Sequence, residues 1–193
     1  MKVRTVNKII EEVTIDIIKR SKSNRSKYLQ KLNAAKDLNI RRDLLSCGNI
    51  AHSVAGCSSS EKKEIISGEK PNIAIVSAYN DMLSAHKPYE NYPSLIKNVI
   101  KKNNGTCQFA GGVPAMCDGI TQGQVGMELS LFSRDVIAQA TAIALSHNVF
   151  DGAIMLGICD KIVPGLLMGC LSFGHLPVIF IPAGPMTTGI NLS

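Results

Sequence analysis

Short, apolar runs rich in β-branched residues, separated by segments of helical character, constrain the fold more than any other feature of this sequence. Strand length and composition are seen in NIAIVSAY (72–79), GAIMLG (152–157) and LPVIFIPAG (176–184), and TCQFAGG (106–112) is a fourth possible strand. Helices are predicted between them, in YPSLIKNVIKKNN, VIAQATAIALSH and PGLLMGCLSFG. Apolar strands that alternate with helices are typical of a parallel sheet covered on both faces. The sequence therefore predicts an α/β fold, a parallel sheet flanked by helices.

A helical segment is expected before the sheet. Apolar residues recur at helical spacing in residues 5–33, which predicts an amphipathic helix, or a pair of helices broken near Ser21–Ser26. Residues 41–57 predict a second, shorter element, and SSSEKKE (58–64) is typical of a polar loop. We therefore expect an N-terminal helical segment over residues 1–68 and an α/β portion over 69–193.

Composition argues against several classes of protein. No apolar run reaches the roughly 18 residues of a membrane span, and the N-terminus lacks the apolar stretch of a signal peptide, so we expect a cytoplasmic protein. Six cysteines without zinc-finger spacing favour free thiols or metal ligands over a disulfide framework. The net charge is +6, but the basic residues concentrate in the first 70 positions without interleaved aromatics. This pattern indicates a solvated basic surface and no nucleic-acid partner.

Polar loops follow three of the predicted strands. Their sequences are SAYNDMLSAHKPY, GGVPAMCDGITQG and GICDKIVPG. Because ligands of open parallel sheets bind beyond the carboxyl ends of the strands, we expect a site where these loops meet. The third loop aligns Cys159, Asp160 and Lys161, which taken alone could be a buried cysteine followed by a surface ion pair. Asp118 in the second loop could equally be the aspartate of an Asp-Gly turn. Beyond that loop, Ser133 is the predicted N-cap of the next helix.

The loops resemble those of one protein family. SAYNDMLSAHKPYE, GGVPAMCDGITQGQVGMELSLFSRDVIA, LSHNVFDGAIMLGICDKIVPG and FIPAGPM are similar, in this order, to the iron-sulfur dehydratases of dihydroxy acids and sugar acids. LLSCGNIAHSVAGC is a weaker match. The resemblance is strongest to the branch that acts on a sugar-acid phosphate, a small molecule. Members are longer than this chain, so the resemblance implies an N-terminal portion, incomplete at its C-terminus, of an enzyme that is a homodimer at full length.

The resemblance also implies roles for individual residues. Cys159 would ligate an iron-sulfur cluster as a thiolate, while Asp118, Asp160 and Lys161 would bind Mg²⁺, the lysine as a carbamate. A bare ammonium would repel Mg²⁺, whereas a carbamate supplies the hard oxygen that this ion prefers. Thiolate suits iron and carboxylate suits magnesium, so one tripeptide could serve two adjacent metals. Cys117 would be either a small buried apolar residue or an additional thiolate.

The first loop departs from the common family pattern. Many members have a cysteine ligand there, but this chain has Ser84, Ala85 and His86. The branch that acts on a sugar-acid phosphate shares the histidine, which implies a different cluster, expected to be [4Fe-4S]. His86, Asn80 and Asp81 are candidate contacts to substrate, and His86 could instead contact a metal; each could equally be an ordinary loop residue.

The expected activity is that of a hydro-lyase that removes water from a sugar-acid phosphate. The resemblance places the catalytic base, a serine, beyond Ser193, so the residues of this chain alone are expected to be inactive. Two alternatives are another sugar-acid or dihydroxy-acid dehydratase of the family, and an inert truncated product. A nucleotide-binding module is disfavoured because no glycine-rich phosphate motif follows a strand.

Overall fold

A computed structural model describes residues 6–37, 42–187 and 189, which fall into two compact units divided after residue 39. The first unit contains α1 (Lys8–Asp37), a single helix of 30 residues. The predicted break near Ser21–Ser26 is wrong, because that segment lacks proline and glycine; the Ser21 hydroxyl is accommodated within the helix by donating to the Ile17 carbonyl one turn earlier, at 2.8 Å. None of the described helices is long and apolar enough to cross a membrane.

The second unit begins with short helices. A 3-10 helix (Arg42–Leu44) precedes α2 (Cys47–Val54) and α3 (Ser59–Ser67). The polar loop predicted over 58–64 is therefore wrong. Ser58 and Glu61 form a capping box in which each side chain accepts a hydrogen bond from the other residue's backbone N–H, and this satisfies N–H groups at the helix start.

Four parallel strands form one sheet in the order β2-β1-β3-β4. They are β1 (Asn72–Ser77), β2 (Thr106–Gly112), β3 (Gly152–Leu156) and β4 (Val178–Ile181). The connections contain α4 (Tyr92–Lys102), the short α5 (Asp118–Thr121), α6 (Ser133–Leu145), α7 (Ile162–Leu171) and two 3-10 helices, Lys87–Glu90 and Val125–Leu129. The predicted strands and the three long connecting helices are confirmed.

One detail of α6 differs from the prediction. Ser133 is the first helical residue and not the N-cap, which is Phe132. The Ser133 hydroxyl donates to the Ser130 carbonyl at 2.6 Å, back toward the preceding turn. Three turn residues, 130–132, join the preceding 3-10 helix to α6, which starts without a side-chain cap hydrogen bond.

Both faces of the sheet are covered. Ala74 and Val76 of β1 pack on the side of α6 and α7, whereas Ile75 between them packs with Tyr89 and Ile96 on the side of α4. This alternation follows the two-residue period of a strand. A strand buried on both sides favours apolar residues on both faces, which is why the interior of β1, residues 73–76, is a continuous apolar run between the buried Asn72 and Ser77.

Helices α6 and α7 touch through two glycines. A Cβ atom on Gly169 would lie 2.6 Å from the Cβ of Thr141, and one on Gly165 would lie 2.8 Å from the Arg134 carbonyl oxygen. Only glycine therefore allows the two backbones to come this close. Because α6 follows the loop of Asp118 and α7 follows the loop of Cys159, their close packing holds those two loops side by side.

Arg42 ties the first short helix to the start of the sheet. Its buried guanidinium lies 3.1 Å from the Asp151 carboxylate and donates to the Lys70 carbonyl at 2.6 Å. We expect Arg42→Ala to lower the free energy of unfolding by about 1–2 kcal/mol, because two interactions of a charged group are lost while water can still reach Asp151. Urea unfolding followed by circular dichroism would measure the change. The exposed Lys63→Ala variant is the control, expected within about 0.5 kcal/mol of the wild type; equal losses in both variants would refute the expectation.

Candidate functional site at the carboxyl edge of the sheet

The loops that follow the strands converge at one edge of the sheet. The Ala78 N–H donates to the Leu156 carbonyl at 2.8 Å, which joins the ends of the two central strands. The Thr187 N–H donates to the Ser84 hydroxyl at 3.0 Å, so the segment after β4 reaches the loop after β1. With the contact between the second and third loops described next, these bonds bring the predicted loops to one edge of the sheet.

Asp118 and Lys161 form a direct ion pair across this edge, between the second and third loops. The lysine side chain is only 4% exposed, while the aspartate side chain is 40% exposed. The Ser130 hydroxyl also donates to the Asp118 carboxylate, at 2.6 Å. The Lys161 ammonium and then the Ser130 hydroxyl hold the pKa of Asp118 below its usual value. The Asp118 carboxylate therefore stays ionised at neutral pH.

Cys159 and His86 form a second contact, between the third and first loops. The Cys159 thiol lies 3.3 Å from Nε2 of the His86 imidazole. Nδ1 of His86 lies 2.7 Å from the Ala78 carbonyl oxygen, and the ring is completely buried and packs edge-on against Tyr89. Burial lowers the pKa of His86, and the bond to Ala78 offsets this only in part.

The backbone of Cys159 has a left-handed conformation, with φ at 82°. Such a conformation in a residue with a side chain is strained by about 1–3 kcal/mol and is concentrated at functional positions. Burial, and then the negative charges of Cys117 and Asp160, raise the pKa of the Cys159 thiol. The thiol is therefore protonated at neutral pH unless a cation stabilises the thiolate.

The remaining predicted site residues lie nearby but make other contacts. Asp160 is exposed at the mouth of the third loop. Asn80 accepts from the Met82 N–H at 2.8 Å, and Asp81 accepts from the hydroxyl of Tyr79 and the ammonium of Lys87. These hydrogen bonds hold the first loop in shape, so Asn80 and Asp81 stay predictions as substrate contacts.

Two residues of the site escaped sequence analysis. Ser130 bonds to Asp118 and Tyr89 packs on His86, and both are buried. Nothing in the sequence near Ser130 indicates that it binds Asp118, because the two residues are 12 positions apart and meet only through the path of the loop between them. Tyr89 could have been noticed as a large aromatic residue within a polar loop, where burial is the usual reason for its presence.

The donor atoms at this edge suit the two metals that the resemblance implies. Cys159 offers a sulfur and His86 an imidazole nitrogen, which are ligands for iron, whereas Asp118 and Asp160 offer the hard oxygens that Mg²⁺ takes. The described residues contain no group of three or more histidine, cysteine, aspartate or glutamate side chains able to hold a metal ion. The edge therefore supplies ligands of the right kind but only part of each ligand set.

Comparison with known proteins gives a consistent result. The profile of the family described as dihydroxy-acid/6-phosphogluconate dehydratase N-terminal matches residues 70–193. A phosphogluconate dehydratase of Pseudomonas aeruginosa is 60% identical over 180 residues, which cover 93% of this chain and 30% of the relative. A phosphogluconate dehydratase of Escherichia coli is 55% identical over 185 residues, which cover 96% of this chain and 31% of the relative.

A dihydroxy-acid dehydratase is also similar, over a shorter stretch. The protein from Akkermansia muciniphila is 40% identical over 122 residues, which cover 63% of the chain and 21% of the relative. The chain thus spans less than a third of the length of each of these relatives. Because the family profile matches well over half of the sequence, this chain belongs to the dihydroxy-acid/6-phosphogluconate dehydratase family and corresponds to its N-terminal part.

Proposed function

We propose that this chain is the N-terminal portion of a phosphogluconate dehydratase, which converts 6-phospho-D-gluconate to 2-keto-3-deoxy-6-phosphogluconate in the Entner–Doudoroff pathway. The observation that carries the proposal is the ion pair between Asp118 and Lys161. It joins the two loops in which the resemblance places metal ligands, at the sheet edge where ligands of this architecture bind. The name of the relatives that are 55–60% identical supports the substrate.

The reaction explains why such a site needs two electrophiles. Dehydration of a sugar acid removes a proton from the carbon beside the carboxylate and hydroxide from the next carbon, and both steps develop negative charge. When bound, an iron-sulfur cluster, proposed to be [4Fe-4S], and Mg²⁺ supply the Lewis-acid chemistry for the departing hydroxide and for the enediolate. We place the base, a serine, outside these 193 residues.

The residues of the chain divide this work by the chemistry of their donor atoms. Cys159 holds the cluster through its sulfur, and Asp118 and Asp160 hold Mg²⁺ through carboxylate oxygens. Lys161 would join the magnesium ligands as a carbamate, formed when its deprotonated amine adds CO2 and releases a further proton, which turns a repelling ammonium into an oxygen donor beside Asp118. Ser130 keeps the Asp118 carboxylate oriented through its hydrogen bond. Asn80 and Asp81 contact the substrate or orient the first loop, whereas His86, buried beside Cys159, contacts the substrate or a metal.

A chimera tests this assignment. The chain replaces the matching segment of the Pseudomonas aeruginosa relative, and formation of the keto acid is assayed under anaerobic conditions. We expect turnover of 6-phosphogluconate by the chimera, and none by the chain alone because it lacks the base, whose loss typically costs about 10²- to 10⁴-fold even in an otherwise complete site. Cys159→Ser should remove iron and activity together, because serine cannot supply a thiolate. Cys47→Ser, at an exposed cysteine, is the control and should change neither.

Three results would contradict the proposal. Full iron content in the folded Cys159→Ser chimera would show that this cysteine does not hold the cluster. Turnover of a dihydroxy acid in place of 6-phosphogluconate would favour the alternative dehydratase of the family. A folded chimera with neither activity would indicate an inert truncated product.

The cellular setting follows from the proposed function. We propose that the complete enzyme acts in the cytoplasm, where its sugar-acid phosphate substrate is a metabolic intermediate. We further propose that it is a homodimer at full length and that residues 69–193 form the α/β portion of its N-terminal domain, preceded by the helical segment over 1–68.

A further inference from the structure

The surroundings of the buried His86 ring determine which of its two nitrogens carries the hydrogen. The Ala78 carbonyl oxygen, 2.7 Å from Nδ1, can only accept a hydrogen bond, so Nδ1 carries the hydrogen. In the neutral ring Nε2 then has a free lone pair, and the ring itself is completely buried beside the partly buried Cys159. Among the described residues, the only hydrogen-bond partner of Nε2 is the Cys159 thiol, at 3.3 Å.

The sulfur and the nitrogen therefore share one cation. In the metal-free protein that cation is the thiol proton, which Cys159 donates to Nε2. If the sulfur becomes a thiolate, two lone pairs face each other at this distance, and the arrangement is stable only with a cation between or beside them. A single tetrahedral metal ion with bonds of about 2.3 Å to sulfur and about 2.0 Å to nitrogen would hold these two atoms about 3.5 Å apart. The observed separation is close to that value.

The surroundings of the imidazole match those of metal-binding histidines. Such histidines usually donate the second ring N–H to a carbonyl or carboxylate, which fixes the ring and raises the basicity of the ligating nitrogen. The His86–Ala78 bond has this form. His147 provides a contrast in the same chain, since its Nδ1 lies 2.9 Å from the Ala144 carbonyl while none of the described residues brings a thiol to its other nitrogen.

We propose that Cys159 Sγ and His86 Nε2 together bind one divalent metal ion of the class that prefers thiolate and imidazole, such as Fe²⁺, Co²⁺ or Zn²⁺. The site is a pair, and exogenous ligands such as water or inorganic sulfide fill the remaining positions. The inference rests on the proposed function for Cys159 as a metal ligand, and adds to it a nitrogen ligand and the binding of a single ion by the metal-free chain.

Co²⁺ alone serves as the probe, added anaerobically to the reduced 193-residue chain. We expect a charge-transfer band from thiolate to cobalt, and hyperfine coupling to an imidazole nitrogen in pulsed electron paramagnetic resonance. Isotope-labelled histidine would change that coupling in the wild-type protein, so this measurement depends on no variant. Either a missing thiolate band or a thiolate band without coupling to a histidine nitrogen would overturn the proposal.

Variants identify the histidine. His86→Gln keeps a polar side chain of similar length but lacks the imidazole, so we expect it to abolish the nitrogen coupling. We also expect it to weaken Co²⁺ binding by about 100-fold, because losing a residue that only supports a metal ligand already costs about 10- to 100-fold in metal affinity. His147→Gln is the matched control and should leave both unchanged. Coupling that persists in folded His86→Gln would overturn the proposal. None of these measurements requires turnover. An inactive chimera would therefore contradict the proposed dehydratase activity without changing the result of the Co²⁺ experiment.

Discussion

Gly169→Val is expected to lower the free energy of unfolding by about 3 kcal/mol, at the upper end of the range for overpacked cores. The new side chain would begin with a Cβ atom only 2.6 Å from the Cβ of Thr141 and 2.8 Å from the Ala138 carbonyl oxygen. Neither atom is the end of a flexible side chain, so relief requires α6 and α7 to move apart. Such a movement exposes apolar surface between them and is therefore itself unfavourable.

Urea unfolding followed by circular dichroism would measure the loss. The matched control is Gly56→Val, because an added Cβ at Gly56 meets no atom within 4 Å. Its unfolding midpoint should stay near that of the wild type. If both valine variants unfold at the same urea concentration, the close approach of the two helices does not limit stability and the inference about Gly169 is wrong.

Asp118→Ala is expected to lower the free energy of unfolding by about 2 kcal/mol. It leaves the Lys161 ammonium, which is 4% exposed, without its carboxylate partner. Removing one partner of a fully buried pair costs about 3–5 kcal/mol, and the 40% exposure of Asp118 reduces the effect because water already screens part of this interaction. Thermal and urea unfolding of the metal-free chain would give the value.

Lys161→Met is the informative counterpart. Methionine fills similar space and removes the buried charge, while the exposed Asp118 remains solvated and bonded to Ser130. Buried ion pairs replaced by apolar groups are often no less stable, so we expect a loss of less than about 1 kcal/mol. Equal destabilisation by Asp118→Ala and Lys161→Met would show that the ion pair itself, and not an unpaired buried ammonium, determines the loss.

The same pair makes part of the stability depend on pH. Because the folded-state pKa of Asp118 is lowered, its contribution is present in full above the unfolded pKa of about 3.9 and is lost as the pH falls through the lower folded-state value. The difference in unfolding free energy between wild type and Asp118→Asn should therefore shrink in acid. If the difference in unfolding free energy between the two proteins stays constant from neutral pH to below the folded-state pKa of Asp118, the lowered pKa is contradicted.

The sequence by itself determined the secondary structure of the sheet and the edge at which a site should lie. Continuous apolar runs such as NIAIVSAY and GAIMLG predicted buried parallel strands, because a strand covered on both faces needs apolar residues at every position. The loop predicted over 58–64 is wrong because a polar segment can also be a solvent-exposed helix. Ser58 and Glu61 have the spacing of a capping box, which starts α3 within this run of serines and lysines.

Only the tertiary structure decided which side chains meet. Asp118 and Lys161 are 43 residues apart, and His86 and Cys159 are 73 apart, so both contacts depend on the order of the strands. The first depends also on the distance between α6 and α7, which follow the two loops that carry it. The left-handed backbone of Cys159 was equally hidden, because a cysteine carries no preference for that conformation. Local sequence fixes the period of hydrophobic burial, whereas the pairing of polar groups at a sheet edge arises only when distant loops are packed together.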